Sequence, residues 1–105
     1  RALAEVETDV EIVAFFGTWC LVCKHTLPAL LGTLDAADNP HLNLRLVATD
    51  ENMIEPADWI EICALDYTPT FMVFQDDLEL GRIEEEPIVS MEADLVGIIE
   101  RAEQR

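Results

Sequence analysis

The fold of this chain is decided by the stretch Phe15-Phe16-Gly17-Thr18-Trp19-Cys20-Leu21-Val22-Cys23-Lys24. It overlaps the apolar run 11–16, which is typical of a buried strand, and it precedes leucines at helical spacing. Cys20 and Cys23 therefore fall on the first turn of a helix, where unpaired N–H groups and the helix dipole favour an anion. A thiolate is such an anion, so the pattern predicts a nucleophilic cysteine and dithiol–disulfide chemistry.

The rest of the chain predicts the element order αβαβαββα, which is an α/β architecture with helices on both faces of a mixed sheet. Strands are expected at residues 11–16, 42–48, 70–75 and 78–83, the last two joined by a hairpin turn at Asp76-Asp77. Helices are expected at residues 1–8, 20–37 and 56–65, and after Ser90 as far as Ala102. At 105 residues this is one domain, 1–105.

Most of the chain resembles the thioredoxin superfamily. Five residues of the quoted stretch and the helix after it match the motif W-C-x-x-C-K-x-x-x-P, and a sixth matches the family's cis-proline: Trp19, Cys20, Cys23, Lys24, Pro28 and Pro69. The family usually has one more N-terminal strand, for which this sequence shows no counterpart. Without that strand, residues 42–48 are expected to form an exposed sheet edge and a site of weak dimerisation.

The resemblance implies roles for individual residues. Cys20 is expected to attack a substrate disulfide, and Cys23 to resolve the mixed disulfide that results. Trp19 is expected to shield the pair, and Lys24 adds positive charge beside it. In the family, the backbone of the residue before the cis-proline pairs with extended substrate, and here that residue is Thr68.

Two features depart from the family. Its buried aspartate and the lysine that partners it fall on Ala14 and Leu46, so another group or water must move the proton of the deeper thiol. The acidic run 84–86 stands where the family often has a glycine beside the active site. If Glu84 and Glu85 line the rim, they would repel acidic substrates and could supply the missing base; a solvated charge run is the alternative.

Composition excludes several partners. Six basic residues against 22 acidic ones give a net charge of −16, which disfavours nucleic acids and anionic membranes. The charge either steers basic partners or serves solubility. No apolar run is long enough to span a bilayer.

The sequence pattern also bears on three other uses of the cysteines: a zinc site, a haem attachment site and a structural thiol. A zinc site would need Cys20 and Cys23 to converge with two of Cys63, His25 and His41. A c-type haem requires histidine directly after the second cysteine, where Lys24 stands. Cys63 lies on an apolar helix face, which is typical of a buried structural thiol. No metal and no cofactor beyond the redox-active disulfide are therefore expected.

The resemblance implies a thiol-disulfide oxidoreductase that reduces protein disulfides and is itself reduced by an upstream thiol reductase. The alternative is a thioredoxin-fold binding module that delivers metal or docks a partner without turnover. Residues 81–90 also resemble a group of bacterial thioredoxin-like proteins. The compartment is expected to be cytoplasmic or periplasmic, and the protein a monomer or weak dimer.

Overall fold

The structure, a computed structural model, describes residues 2–17, 23–49, 63–65 and 67–103. Its strands are β1 (Val10–Phe16), β2 (Leu42–Ala48), β3 (Thr70–Gln75) and β4 (Leu78–Glu84). Its longer helices are α1 (Cys23–Ala37) and α2 (Met91–Glu103), and a short 3-10 helix spans Ala2–Glu5. The strands form one mixed sheet in the order β2-β1-β3-β4, in which β1 runs parallel to β2 and antiparallel to β3.

The core lies on both faces of β1, the central apolar strand. Ile12 and Ala14 point into the larger cluster, which α1, α2 and the 3-10 helix cover. Val13 and Phe15 point the other way, into a smaller cluster that includes Cys63 and Leu65. Side chains of a strand alternate between faces, so a strand with no polar position in its middle is buried on both sides. The predicted α/β sheet with both faces covered is confirmed.

The first predicted helix, at residues 1–8, is wrong in extent. Only Ala2–Glu5 is helical, and the helix is of the 3-10 type. The Asn39 side-chain amide donates to the carbonyl oxygens of Leu3 (2.9 Å) and Val6 (2.8 Å). The Val6 carbonyl is thus bonded across the fold, and the Leu3 carbonyl is shared between Asn39 and the local N–H of Val6 (3.4 Å), where a longer helix would have bonded both carbonyls internally. The predicted helix at 56–65 lies largely outside the described residues.

The β3–β4 hairpin has the predicted turn, with positive φ at Asp76 (53°) and Asp77 (67°). Positive φ at both central residues is the backbone of the two-residue turn that matches strand twist. Further along, Val73 pairs with Gly81 but Phe74 with Glu79, so Leu80 is an extra residue on β4. This bulge sits where α2 crosses the strand.

Strand β2 forms one edge of the described sheet. Its leucine positions are only partly covered, and Leu46 is 49% exposed. Neither α1 nor α2 has the length and apolar character that crossing a bilayer demands.

Candidate active site

The candidate site lies at the carboxyl end of β1, where the quoted cysteine segment leaves the sheet. Phe15 pairs with Thr70, the first residue of β3, so the residue before it, Pro69, lies at the same end of the sheet. The end of β2 is held here as well, because the Thr49 N–H donates to the carbonyl of Phe16 over 2.7 Å. The topology therefore brings the end of β1, from which the cysteine segment leaves, and the Thr68–Pro69 loop to the same end of the sheet.

Helix α1 begins at Cys23, whose side chain is 4% exposed. The next two residues, Lys24 and His25, are exposed. A buried thiol at the start of a 15-residue helix has the position expected of the deeper, resolving cysteine. Trp19 and Cys20 lie outside the described residues.

The loop before β3 is a tight turn closed by a buried hydroxyl. The peptide bond between Thr68 and Pro69 is cis. Thr70, which is fully buried, donates its Oγ1 hydrogen to the carbonyl of Tyr67 over 2.7 Å. Pro69 is buried and Thr68 is half-buried, so part of Thr68 reaches the surface at this end of the sheet.

The acidic run 84–86 adjoins this loop. Glu84 pairs with Thr70 across the β3–β4 ladder, and the Glu85 N–H donates to the carbonyl of Pro69 over 2.7 Å. Glu85 has a φ of 66°, in the left-handed region that favours glycine, and its side chain is exposed. The structure thus places both predicted rim acids next to Pro69.

Arg82 ties the chain before the loop to β4. Its guanidinium makes two bonds to the Glu79 carboxylate, at 2.7 and 2.9 Å. It also donates to the carbonyl oxygens of Cys63 (2.9 Å) and Ala64 (3.4 Å). Cys63 is helical, and Ala64 after it has a positive φ of 52°. Helices commonly end with a residue in this left-handed conformation. A cation at such an end satisfies carbonyls that have no helical partner.

Cys63 is a buried thiol beside this guanidinium. Burial raises the pKa of the Cys63 thiol above its usual value, and the nearby Arg82 charge opposes the rise without cancelling it. The side chain is 8% exposed and packs in the smaller core cluster. This is the environment of the structural thiol that the sequence predicted, since a protonated buried sulfur is a poor nucleophile.

Ala14 and Leu46 are adjacent in the sheet, as the family's acid and lysine would be. They are register partners on β1 and β2, and Ala14 is fully buried. Neither side chain can accept or donate a proton. Proton transfer to or from Cys23 must therefore use water or another residue.

Sequence reasoning missed the contacts that Arg82, Glu79 and Thr70 make beside the candidate site. An arginine is conspicuous in a chain with only six basic residues, and Thr70 follows the proline directly, so weak signals existed. The alternative zinc site needs Cys20, which lies outside the described residues; among the described residues, no three His, Cys, Asp or Glu side chains are grouped so that they could hold a metal ion.

Comparison with known proteins places the chain in a family. The sequence profile described as Thioredoxin matches residues 2–99. The chain belongs to the thioredoxin family. Membership supports a general role in thiol redox chemistry. A search of curated protein sequences found no match.

Solved structures agree with the thioredoxin fold. Thioredoxin 1 of Thermosipho africanus is 19% identical, with a TM-score of 0.65, and the match covers 90% of this chain and 94% of that one. Mitochondrial thioredoxin 3 of Saccharomyces cerevisiae is 26% identical, with a TM-score of 0.60 and coverages of 90% and 80%. A Pseudomonas aeruginosa protein of unknown function is 22% identical, with a TM-score of 0.72 and coverages of 96% and 71%.

Proposed function

We propose that this thioredoxin-family protein reduces protein disulfides through Cys20 and Cys23. The observation that carries the proposal is the convergence at one sheet edge of two parts of the chain. One is the start of α1 with the buried Cys23, and the other is the Thr68–Pro69 loop. A dithiol beside the half-buried residue before a cis-proline can hold a substrate strand while its disulfide is attacked.

The exchange proceeds in two steps that conserve electrons. The Cys20 thiolate attacks one sulfur of the substrate disulfide, forming a mixed disulfide and releasing the other sulfur as a thiolate, which takes up a proton. The deprotonated Cys23 sulfur then attacks Cys20, which releases the second substrate sulfur and leaves the Cys20–Cys23 disulfide. The substrate gains two electrons and the protein dithiol loses two.

The neighbouring residues support this exchange. Trp19 limits access of water to the dithiol, and the positive charge of Lys24 favours thiolates at the helix start. The backbone of Thr68 pairs with the substrate strand beside Pro69. The redox-active disulfide is the only cofactor that the reaction needs. An upstream thiol reductase reduces it and so regenerates the dithiol.

Deprotonation of Cys23 cannot use the residue at Ala14. Glu84 and Glu85 are the acidic side chains next to Pro69, so either one, through water, is the proposed proton acceptor. Their charge also disfavours acidic substrates at the same rim.

The test is the reduction of insulin disulfides by dithiothreitol, followed by turbidity, with the protein and with its Cys20→Ser variant. We expect the wild type to accelerate precipitation and the variant to leave the uncatalysed rate unchanged. Cys63→Ser is the matched control, because it changes a buried cysteine outside the motif. Equal rates for the wild type and Cys20→Ser would refute the proposal.

The buried Ala14 beside Leu46 favours one other function, a thioredoxin-fold binding module without turnover. Loss of the proton relay matters less to a protein that only binds. In that case purified protein would carry stoichiometric zinc or copper, or Cys20→Ser would retain partner binding while insulin reduction is absent in the wild type.

A further inference from the structure

The Arg82–Glu79 pair joins two separate parts of the chain through several hydrogen bonds. Its guanidinium is bonded to one carboxylate and two main-chain carbonyls from a different part of the chain. The side chains of Arg82 and Glu79 are 22% and 33% exposed, whereas the pair between Arg45 and Glu11 is 56% and 41% exposed. A partly buried pair with two hydrogen bonds is held in one geometry better than a more exposed ion pair.

We propose that Arg82 is a positioning residue for the substrate-binding loop, an inference that rests on the proposed function. Arg82 holds residues 63–64 on β4, and the loop that carries Thr68 and Pro69 begins a few residues later. Glu79 orients the guanidinium by taking two of its donors, which leaves the remaining N–H groups directed at the carbonyls of Cys63 and Ala64.

The loop is then fixed from three sides. Arg82 anchors the chain on its upstream side, and the Thr70 hydroxyl closes the turn onto Tyr67. On the third side the Glu85 N–H holds the carbonyl of Pro69. Arg82 lies on β4 and Glu85 directly follows it, so β4 serves as the rigid support of the substrate-binding loop.

Rigid support matters because an ordered loop binds substrate without losing conformational freedom. Releasing residues 63–64 lets the loop sample other positions, and a substrate strand must then reorder it. Loss of the contacts from Arg82 therefore raises KM for a protein disulfide. It leaves kcat and the reaction with a small disulfide unchanged, because a small disulfide reaches the dithiol without pairing with Thr68.

The experiment compares Arg82→Met, which keeps most of the apolar stem, with Arg45→Met, which removes the same charge from the exposed pair on β2. Insulin measures protein-disulfide reduction, and a small chromogenic aromatic disulfide measures the dithiol alone. We expect Arg82→Met to raise KM for insulin about fivefold to tenfold, which is the size of the effect of one ordinary net hydrogen bond. Arg45→Met should match the wild type in both assays.

A second readout is hydrogen exchange at two amides. The Glu85 N–H should exchange faster in Arg82→Met because its acceptor, Pro69, is no longer held. The Val10 N–H, which donates to His41 at the opposite end of β1, should be unaffected. Where Arg82→Met does not fold, Glu79→Gln provides the decisive comparison, since it weakens only the orientation of the guanidinium.

Two results would overturn the inference. One is a KM for insulin equal to that of Arg45→Met, with Glu85 exchange unchanged. The other is a fall in kcat in both assays that follows the unfolded fraction, which is the behaviour of a purely structural residue. Failure of the wild type to reduce either disulfide would instead refute the proposed function, so the two failures are distinguishable.

Discussion

At the scale of single residues, Glu85 combines a backbone role with a charge. Its N–H donates to the carbonyl of Pro69. The backbone of Glu85 itself is left-handed, which costs a non-glycine residue roughly 1–2 kcal/mol. A glycine there would relieve that strain but would also widen the unfolded ensemble, an opposing effect of roughly 0.5–1 kcal/mol. The residue therefore keeps an exposed carboxylate at the rim at a small net cost in stability.

The charge of Glu85 is expected to select against acidic substrates. In Glu85→Gln, the ratio of kcat/KM for a disulfide peptide flanked by glutamates to that for the same peptide flanked by lysines should rise about twofold to fivefold, since one repulsive charge near the bond is removed. Loss of Glu85 as a proton acceptor would slow the reduction of both peptides alike and would leave this ratio unchanged. The measurement is kcat/KM for both peptides at low salt.

Glu7→Gln is the control for this experiment, because Glu7 is exposed and precedes β1 at the end opposite the site. A similar gain from Glu7→Gln would mean that net charge alone, rather than the rim, governs selectivity.

Cys63 gives a pH dependence of stability with a definite sign. Its folded-state pKa lies above the ordinary thiol value of 9.0 because the sulfur is buried. Above about pH 9 the unfolded chain loses this proton first, so the free energy of unfolding falls as the pH rises through the folded pKa. Below about pH 9 the thiol is protonated in both the folded and the unfolded chain, so the full free energy of unfolding is retained.

Denaturant unfolding between pH 7 and 10.5, with and without Cys63→Ala, measures this effect, and roughly one proton should link to unfolding in the wild type. The background for both proteins is Cys20→Ser/Cys23→Ser, which removes the other thiols. The same slope in Cys63→Ala would assign the alkaline loss to other groups.

At the scale of elements, α2 lies close to β4 because Gly81 has no side chain. A Cβ at this position would meet Ile98 Cγ2 at 2.9 Å, which is closer than side chains pack. The start of the helix is fixed by three hydrogen bonds: the N–H groups of Ile88 and Val89 donate to the Asp94 carboxylate, and the Ala93 N–H donates to the Ser90 Oγ. The helix therefore cannot easily move away from a larger residue.

We expect Gly81→Ala to lower the free energy of unfolding by about 1–3 kcal/mol, the range for overpacking in a well-packed core. Gly32→Ala is the matched control, since a Cβ at Gly32, inside α1, meets nothing within 4 Å. That change should raise stability by roughly 0.5–1 kcal/mol, because alanine favours helix. Denaturant melts measure both variants, and equal effects would contradict the role of Gly81.

At the scale of the whole molecule, the net charge of −16 on 105 residues opposes compaction. Salt should screen this repulsion, since the screening length falls from ~30 Å at 0.01 M to ~10 Å at 0.1 M. Raising NaCl from low millimolar to half molar should therefore increase Tm, by about 4–8 °C for each kcal/mol of repulsion removed. KCl at equal ionic strength should act alike, and a Tm that falls with salt would show that ion pairs dominate.

Much of this fold follows from local patterns. The apolar run of β1, the leucines of α1 and the Asp76-Asp77 turn are each determined by residues close in sequence, so the sheet and its hairpin could be predicted. The first helix could not, because Asn39 takes the carbonyls of Leu3 and Val6 from 33 to 36 residues away. Periodicity carries no information about such a partner.

The sequence by itself determined the family and predicted the dithiol and the cis-proline, because these residues lie in recognisable motifs. Only the tertiary structure decided that Glu85 holds Pro69 and that Arg82 holds Cys63 and Ala64. These contacts join segments that are 16 to 19 residues apart through backbone carbonyls, which every residue possesses. A carbonyl leaves no signature in a sequence, so its partner becomes visible only when the sheet has brought the two segments together.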